Sequence, residues 1–369
     1  MFTNLIYVHF GLNDDFLYAP TSLIDFLYTT YYASNIVHLN VRVRSFDDCL
    51  CLLDRRFTQL HTFIVQVDRI YHTSMIIKNT ETLSNLKCFS LTLFWATLEY
   101  DNLILPLLHQ MSFLEKLTLS FTIRDRISFI DGNHLVIDII SKKPYLHTFI
   151  FDIVTNCAIA DEQLLPTSDD VRCPLIQRGY NVGYYIDYLY DSIGRCHIYS
   201  LPFTMERIQD ITIKFPGGVF THVRHLVVHD FFRSIEHDFF LLISQAFPLL
   251  KHMTVVSLME QKKKQSNKSD EYEETSSIIK YSHLTTLKLS QAHIDYAKEL
   301  LLDSNTRLPC LNKLYIDYEK LANVTEDFTS DAAHVNCAKL KNLILYGSTN
   351  INETNFFNYF PFVQCRFRS

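Results

Sequence analysis

Apolar residues return along this chain in one short phrase: an apolar residue, two variable residues, an apolar residue, one variable residue, an apolar residue. It reads Leu60-x-x-Phe63-x-Val65, Leu86-x-x-Phe89-x-Leu91, Leu114-x-x-Leu117-x-Leu119 and Leu146-x-x-Phe149-x-Phe151 in the first half of the chain. It reads Val223-x-x-Leu226-x-Val228, Leu250-x-x-Met253-x-Val255, Leu284-x-x-Leu287-x-Leu289, Leu311-x-x-Leu314-x-Ile316 and Leu340-x-x-Leu343-x-Leu345 in the second. Weaker copies start at Phe2, Ile36 and Ile193. The alternation at the end of each phrase predicts a strand with one buried face. Between strands, Phe46, Cys49, Leu50 and Leu53 fall three and four apart, as do Leu103, Leu107, Leu108 and Met111, and Phe239, Leu242, Ile243, Ala246 and Phe247. Those offsets put one apolar face on a helix. Pro144, Pro248, Pro309 and Pro361 stand just before strands, where proline ends a helix and favours extended backbone.

Counted from Phe2, the copies follow one another at 34, 24, 26, 28, 32, 47, 30, 27, 34, 27 and 29 residues. Most intervals lie in or just beyond the roughly 20–29 residues of a leucine-rich repeat. The pattern predicts an α/β leucine-rich-repeat solenoid, a ribonuclease-inhibitor-like horseshoe with irregular repeats, forming one domain over residues 1–369. A single unit cannot bury its apolar face, and stacked neighbours bury it for one another. Two segments break the repeat. Residues 155–192 read as an insertion rich in Asp, Pro and Tyr, with a turn at Pro166-Thr-Ser-Asp-Asp170. Residues 260–277 hold a basic and then an acidic half with almost no apolar content, which reads as a mobile surface loop.

Composition narrows the function classes. The formal net charge of −6 argues against a nucleic-acid binder. No run approaches the roughly 18 apolar residues of a membrane span, and Asp14 and Asp15 interrupt any leader at the N-terminus. Nine scattered cysteines, an odd number, fit free thiols in a reducing compartment. An intracellular protein, cytoplasmic or nuclear, is expected, and the sequons at Asn267, Asn323 and Asn352 read as chance matches.

The spacings that reveal catalysis are missing. There is no phosphate loop, no G-x-S-x-G elbow, no H-E-x-x-H and no C-x-x-C pair. His222, His225, His229 and His252 cluster in sequence, and they read as polar residues on adjacent strands rather than zinc ligands. No catalytic residue, cofactor or metal is expected. The alternative from another class is an enzyme with its site on the 155–192 insertion.

Side chains alternate along a strand, so the variable positions of each phrase face away from the core. In a solenoid those rows line the concave surface. They carry Arg42, Lys116, Arg195, Lys288 and Lys313 against Asp152 and Asp317, a more positive face than the chain as a whole. Such a face steers acidic partners. The candidate partner-binding residues are Arg195, His197, Tyr199, His225, His229 and His252 as one central patch, with Lys288, Lys313 and Tyr315 beside it. Arg and Tyr are enriched at binding hot spots.

Leu284-x-x-Leu287-x-Leu289-x-x-Ala292-x-Ile294 adds a small and then an aliphatic residue to the phrase, and Phe247-Pro-Leu-Leu250 and Phe360-Pro-Phe362 precede strands. These features resemble the leucine-rich-repeat regions of F-box-type proteins. The resemblance implies substrate recognition for a cullin-type ubiquitin ligase, with a cullin-ligase adaptor as partner if an F-box lies upstream. No Leu-Pro-x-Glu start of an F-box is present in the chain. The reading that follows is a non-enzymatic scaffold that binds a protein on its concave face.

Overall fold

The computed structural model describes residues 6–10, 35–53, 57–70, 83–158, 166–189, 193–262, 277–347 and 353–368. The chain is α/β and divides into two compact units, Met1–Phe203 and Thr204–Ser369.

The first unit holds a mixed sheet of β1 (Tyr7–Phe10), β2 (His38–Ser45), β3 (Thr62–Arg69), β4 (Cys88–Leu93), β5 (Lys116–Arg126), β6 (Thr148–Ala158), β7 (Asn181–Leu189) and β8 (Ile193–Leu201), in the order β1-β2-β3-β4-β5-β6-β8-β7. From β1 to β6 the strands are parallel. Their register keeps like positions of the phrase side by side: His38, Thr62, Cys88, Lys116 and Thr148 form one row, and Leu39, Phe63, Phe89, Leu117 and Phe149 the next. The second row is buried at every position, and the first is half-buried or exposed. A one-residue slip would turn the apolar row to solvent, so the phrase itself fixes the register. Helix Phe46–Leu52 covers the core side, started by Ser45 and Asp48 in a reciprocal cap.

Three expectations change here. Val8 pairs with Leu39, so the first copy begins three residues later than Phe2. The copy at Ile193 is not a repeat strand, because β8 runs antiparallel to both β6 and β7. Within residues 155–192, the stretch at Pro166–Asp170 is no free-standing turn. Thr167 caps the helix Ser168–Ile176, accepting from the Asp170 amide while the Asp170 carboxylate accepts from the Thr167 amide.

The second unit holds β9 (Arg207–Ile211), β10 (His225–His229), β11 (His252–Ser257), β12 (Ile279–Lys280), β13 (Thr286–Ala292), β14 (Thr306–Arg307), β15 (Lys313–Asp317), β16 (Asn342–Tyr346) and β17 (Gln364–Arg368). Its main sheet is parallel throughout, in the order β17-β16-β15-β13-β11-β10-β9, while β12 and β14 pair apart from it. Leu226, Met253, Leu287, Leu314 and Leu343 occupy one buried row against the core. Helices His237–Ala246, Ile294–Leu301 and Tyr318–Val324 follow β10, β13 and β15. Full burial of each such aliphatic side chain is worth about 1.5–3 kcal/mol, and it accrues only when neighbouring strands stand in register. Most of the charged 260–277 segment, residues 263–276, lies outside the described residues. No helix among the described residues is long and apolar enough to cross a membrane.

Candidate functional site

The central patch expected from the sequence is divided between two sheets. Arg195, His197 and Tyr199 lie on β8 of the first unit's sheet, and His225, His229 and His252 lie on β10 and β11 of the second. The β8 residues are also inaccessible: His197 is 0% exposed, Tyr199 3% and Arg195 6%.

The cause is local. Antiparallel β7 and β6 flank β8, and the strand pairings set Tyr185 and Val154 opposite His197, and Asp187 and Asn156 opposite Arg195. His197 Nε2 lies 2.6 Å from Asp152 Oδ1, and Nδ1 lies 3.0 Å from the Tyr185 hydroxyl. Ser120 Oγ donates to the other Asp152 oxygen at 3.4 Å, and Arg195 Nε donates to Asn156 Oδ1 at 2.9 Å. Burial, and then the Asp152 carboxylate, pushes the Tyr199 phenol up to about 12. This is a chain of satisfied buried polar groups at the 155–192 insertion. Such a network fixes strand pairing, because each group left without its partner would cost about 1–3 kcal/mol.

Arg42 is likewise withdrawn from the outward rows. It is buried, with Nε donating to Asp68 Oδ1 at 2.8 Å and its guanidinium 4.5 Å from the Phe94 ring centroid.

The remaining candidates come together on the second unit. His225 and His252 are register partners, and their rings stack 4.3 Å apart, 3° from parallel. His229 sits beside them along β10, 2.9 Å from Asp210 Oδ1 and edge-on to Phe231. Lys288 and Tyr315 are register partners on β13 and β15, and Lys313 precedes Tyr315 by two. Both ammonium groups lie over the Tyr315 ring, at 5.0 and 5.5 Å from its centroid. The ring's negative face attracts both cations. The Tyr315 side chain is itself buried, so the ring forms a floor under the two half-exposed lysines.

Three members of this face escape the phrase-based reading. Arg366 and Arg368 extend the rows onto β17, where Arg366 pairs with Ile344 and Arg368 with Tyr346. Arg207 begins β9 and pairs with His225. The phrase at Phe362-x-x-Cys365-x-Phe367 is visible in the sequence and its outward positions could have been read from it. β9 is hidden because a bulge at Asp210, with φ of 56°, inserts a residue between Ile208 and Ile211.

The four clustered histidines do not converge on a point. His222 is exposed in the turn before β10, two rings stack and one binds Asp210. Among the described residues no group of three or more His, Cys, Asp or Glu is placed to hold a metal ion. No protein-family model matches the chain, and no curated protein matches its sequence.

Proposed function

We propose that the chain is an intracellular protein-binding scaffold of leucine-rich-repeat type. On this reading it takes its partner on the outward face of the β9–β17 sheet and catalyses no reaction. The repeat phrase, its quasi-regular spacing and the parallel strands in common register support the ribonuclease-inhibitor-like class. The observation that carries the binding reading is the composition of that one face. His225, His252, Lys288 and Lys313 stand half-exposed in adjoining rows, the two lysines over a buried Tyr315, while β10, β11, β13 and β15 bury Leu226, Met253, Leu287 and Leu314 on their other side. Rows of polar and aromatic side chains on a stiff parallel sheet present a pre-ordered surface, and pre-ordering lowers the entropic cost of association.

The test is affinity capture that compares the wild type with a His225→Ala/His252→Ala/Lys313→Ala variant of equal thermal stability. Partners held by the wild type and lost by the variant are the expected result. Equal capture by both would remove this face from the reading.

A further inference from the structure

We infer that the occupant of this face is an acidic segment of a partner protein, laid across the strands; the inference rests on the binding reading above and adds the partner's chemistry. The outward rows of the β9–β17 sheet hold five cations, Arg207, Lys288, Lys313, Arg366 and Arg368, against two carboxylates, Asp210 and Asp317. Both carboxylates already have basic neighbours off or beside the rows: Asp317 Oδ2 is 2.5 Å from Lys320 Nζ, and Asp210 is 2.9 Å from His229. By count the face carries three more cations than carboxylates, on a chain whose formal net charge is −6.

The arrangement also concentrates that charge. Two ammonium groups share one aromatic ring, which holds like charges near each other on neighbouring strands. A partner's carboxylate near the ring would be attracted by both. Lys288 and Arg366 belong to the same row, three strands apart, with Tyr315 and Ile344 between them. Three strand spacings come to about 14 Å, which an extended chain covers in about four to five residues. The fit is to a short segment with carboxylates about four positions apart and apolar or small residues between them. Nucleic acid fits less well. The face carries apolar side chains among its cations, Val227 half-buried and Ile344 buried, and the chain as a whole would repel a polyanion of long reach.

The test uses the full chain with two fluorescein-labelled probes of similar length, hexaglutamate and hexathymidylate, read by fluorescence anisotropy. Hexaglutamate should bind, more weakly as salt is raised. Arg366→Glu, and separately Lys288→Gln with Lys313→Gln, should each weaken it by about tenfold. Arg366 is exposed on the last strand, so that variant keeps the core intact if the lysine pair proves to stabilise Tyr315. No binding of hexaglutamate, binding unchanged in both variants, or equal or tighter binding of hexathymidylate would each overturn the inference. If the peptide fails while the His225→Ala/His252→Ala/Lys313→Ala variant still loses its captured partner, the binding face stands and only its acidic specificity falls.

Discussion

Gly183 of β7 lies directly beneath the ring of Tyr199, its antiparallel partner on β8. A Cβ at Gly183 would overlap the Cε2 and Cζ atoms of that ring, and Tyr199 is too deeply buried to swing away. Gly183→Ala is therefore expected to destabilise the protein by about 2 kcal/mol through overpacking. In a Tyr199→Leu background the same change should cost less than half as much, because the obstructing ring is gone. Denaturant unfolding of the four proteins in that cycle gives the coupling directly. Additive effects would contradict the contact.

Core-facing positions of the phrase have unequal worth along the second unit. Leu314 is fully buried, whereas Phe367, two strands away in the ladder on β17, is 46% exposed. Leu314→Ala should cost about 3 kcal/mol, and Phe367→Ala about 1 kcal/mol despite its larger side chain. A Phe367 penalty equal to that of Leu314 would show that β17 is covered.

Lys143 is buried and donates from Nζ to the carbonyls of Leu108, at 2.6 Å, and Met111, at 3.3 Å. Burial, with a smaller contribution from Lys142, pulls its ammonium down to about 8. The unfolded chain restores the usual lysine value of about 10.4. Between those values the unfolded state binds more protons, so this group's contribution favours the folded state more as pH rises. The stability difference between wild type and Lys143→Met should shift in favour of the wild type by about 2 kcal/mol from neutral pH to pH of about 10. A difference that stays constant across that window would contradict the buried placement.

The cysteines should divide by accessibility. Cys173 and Cys310 are exposed, while Cys49, Cys196 and Cys337 are buried. Burial pushes the Cys337 thiol up to about 12 and raises those of Cys49 and Cys196 further. Only a thiolate reacts readily with maleimides or disulfide reagents. Mass spectrometry of the natively labelled protein should find Cys173 and Cys310 modified, and Cys49, Cys196 and Cys337 untouched until denaturant is added. Native labelling of Cys337 would show its helix to be open.

How much of this was legible in the sequence varies by element. The rows Leu39-Phe63-Phe89 and Leu226-Met253-Leu287 follow from the phrase, because alternation ties burial to spacing. Direction does not follow from it. Ile193-x-x-Cys196-x-Ile198 reads the same way whether its strand runs parallel or antiparallel, so the phrase alone puts β8 among the repeat strands and its Arg195, His197 and Tyr199 on an open face. The helix Ser168–Ile176 was visible in principle, since Thr167-x-x-Asp170 is a capping pair. The Asp210 bulge left no trace in the pattern except a missing copy. The Tyr315 floor could not be read either. Tyrosine at an outward position looks exposed until the two lysines beside it are placed.

The most direct test of the binding face is photo-crosslinking by position. A photoreactive amino acid replaces Thr254, half-exposed on the outward side of β11, or Lys298, exposed on the helix Ile294–Leu301. Thr254 alternates with the core-facing Met253 and Val255 of β11, and Lys298 stands on the helix that follows β13. A discrete crosslinked partner is expected from Thr254 and none from Lys298. A partner trapped from Lys298 alone would contradict binding on this face.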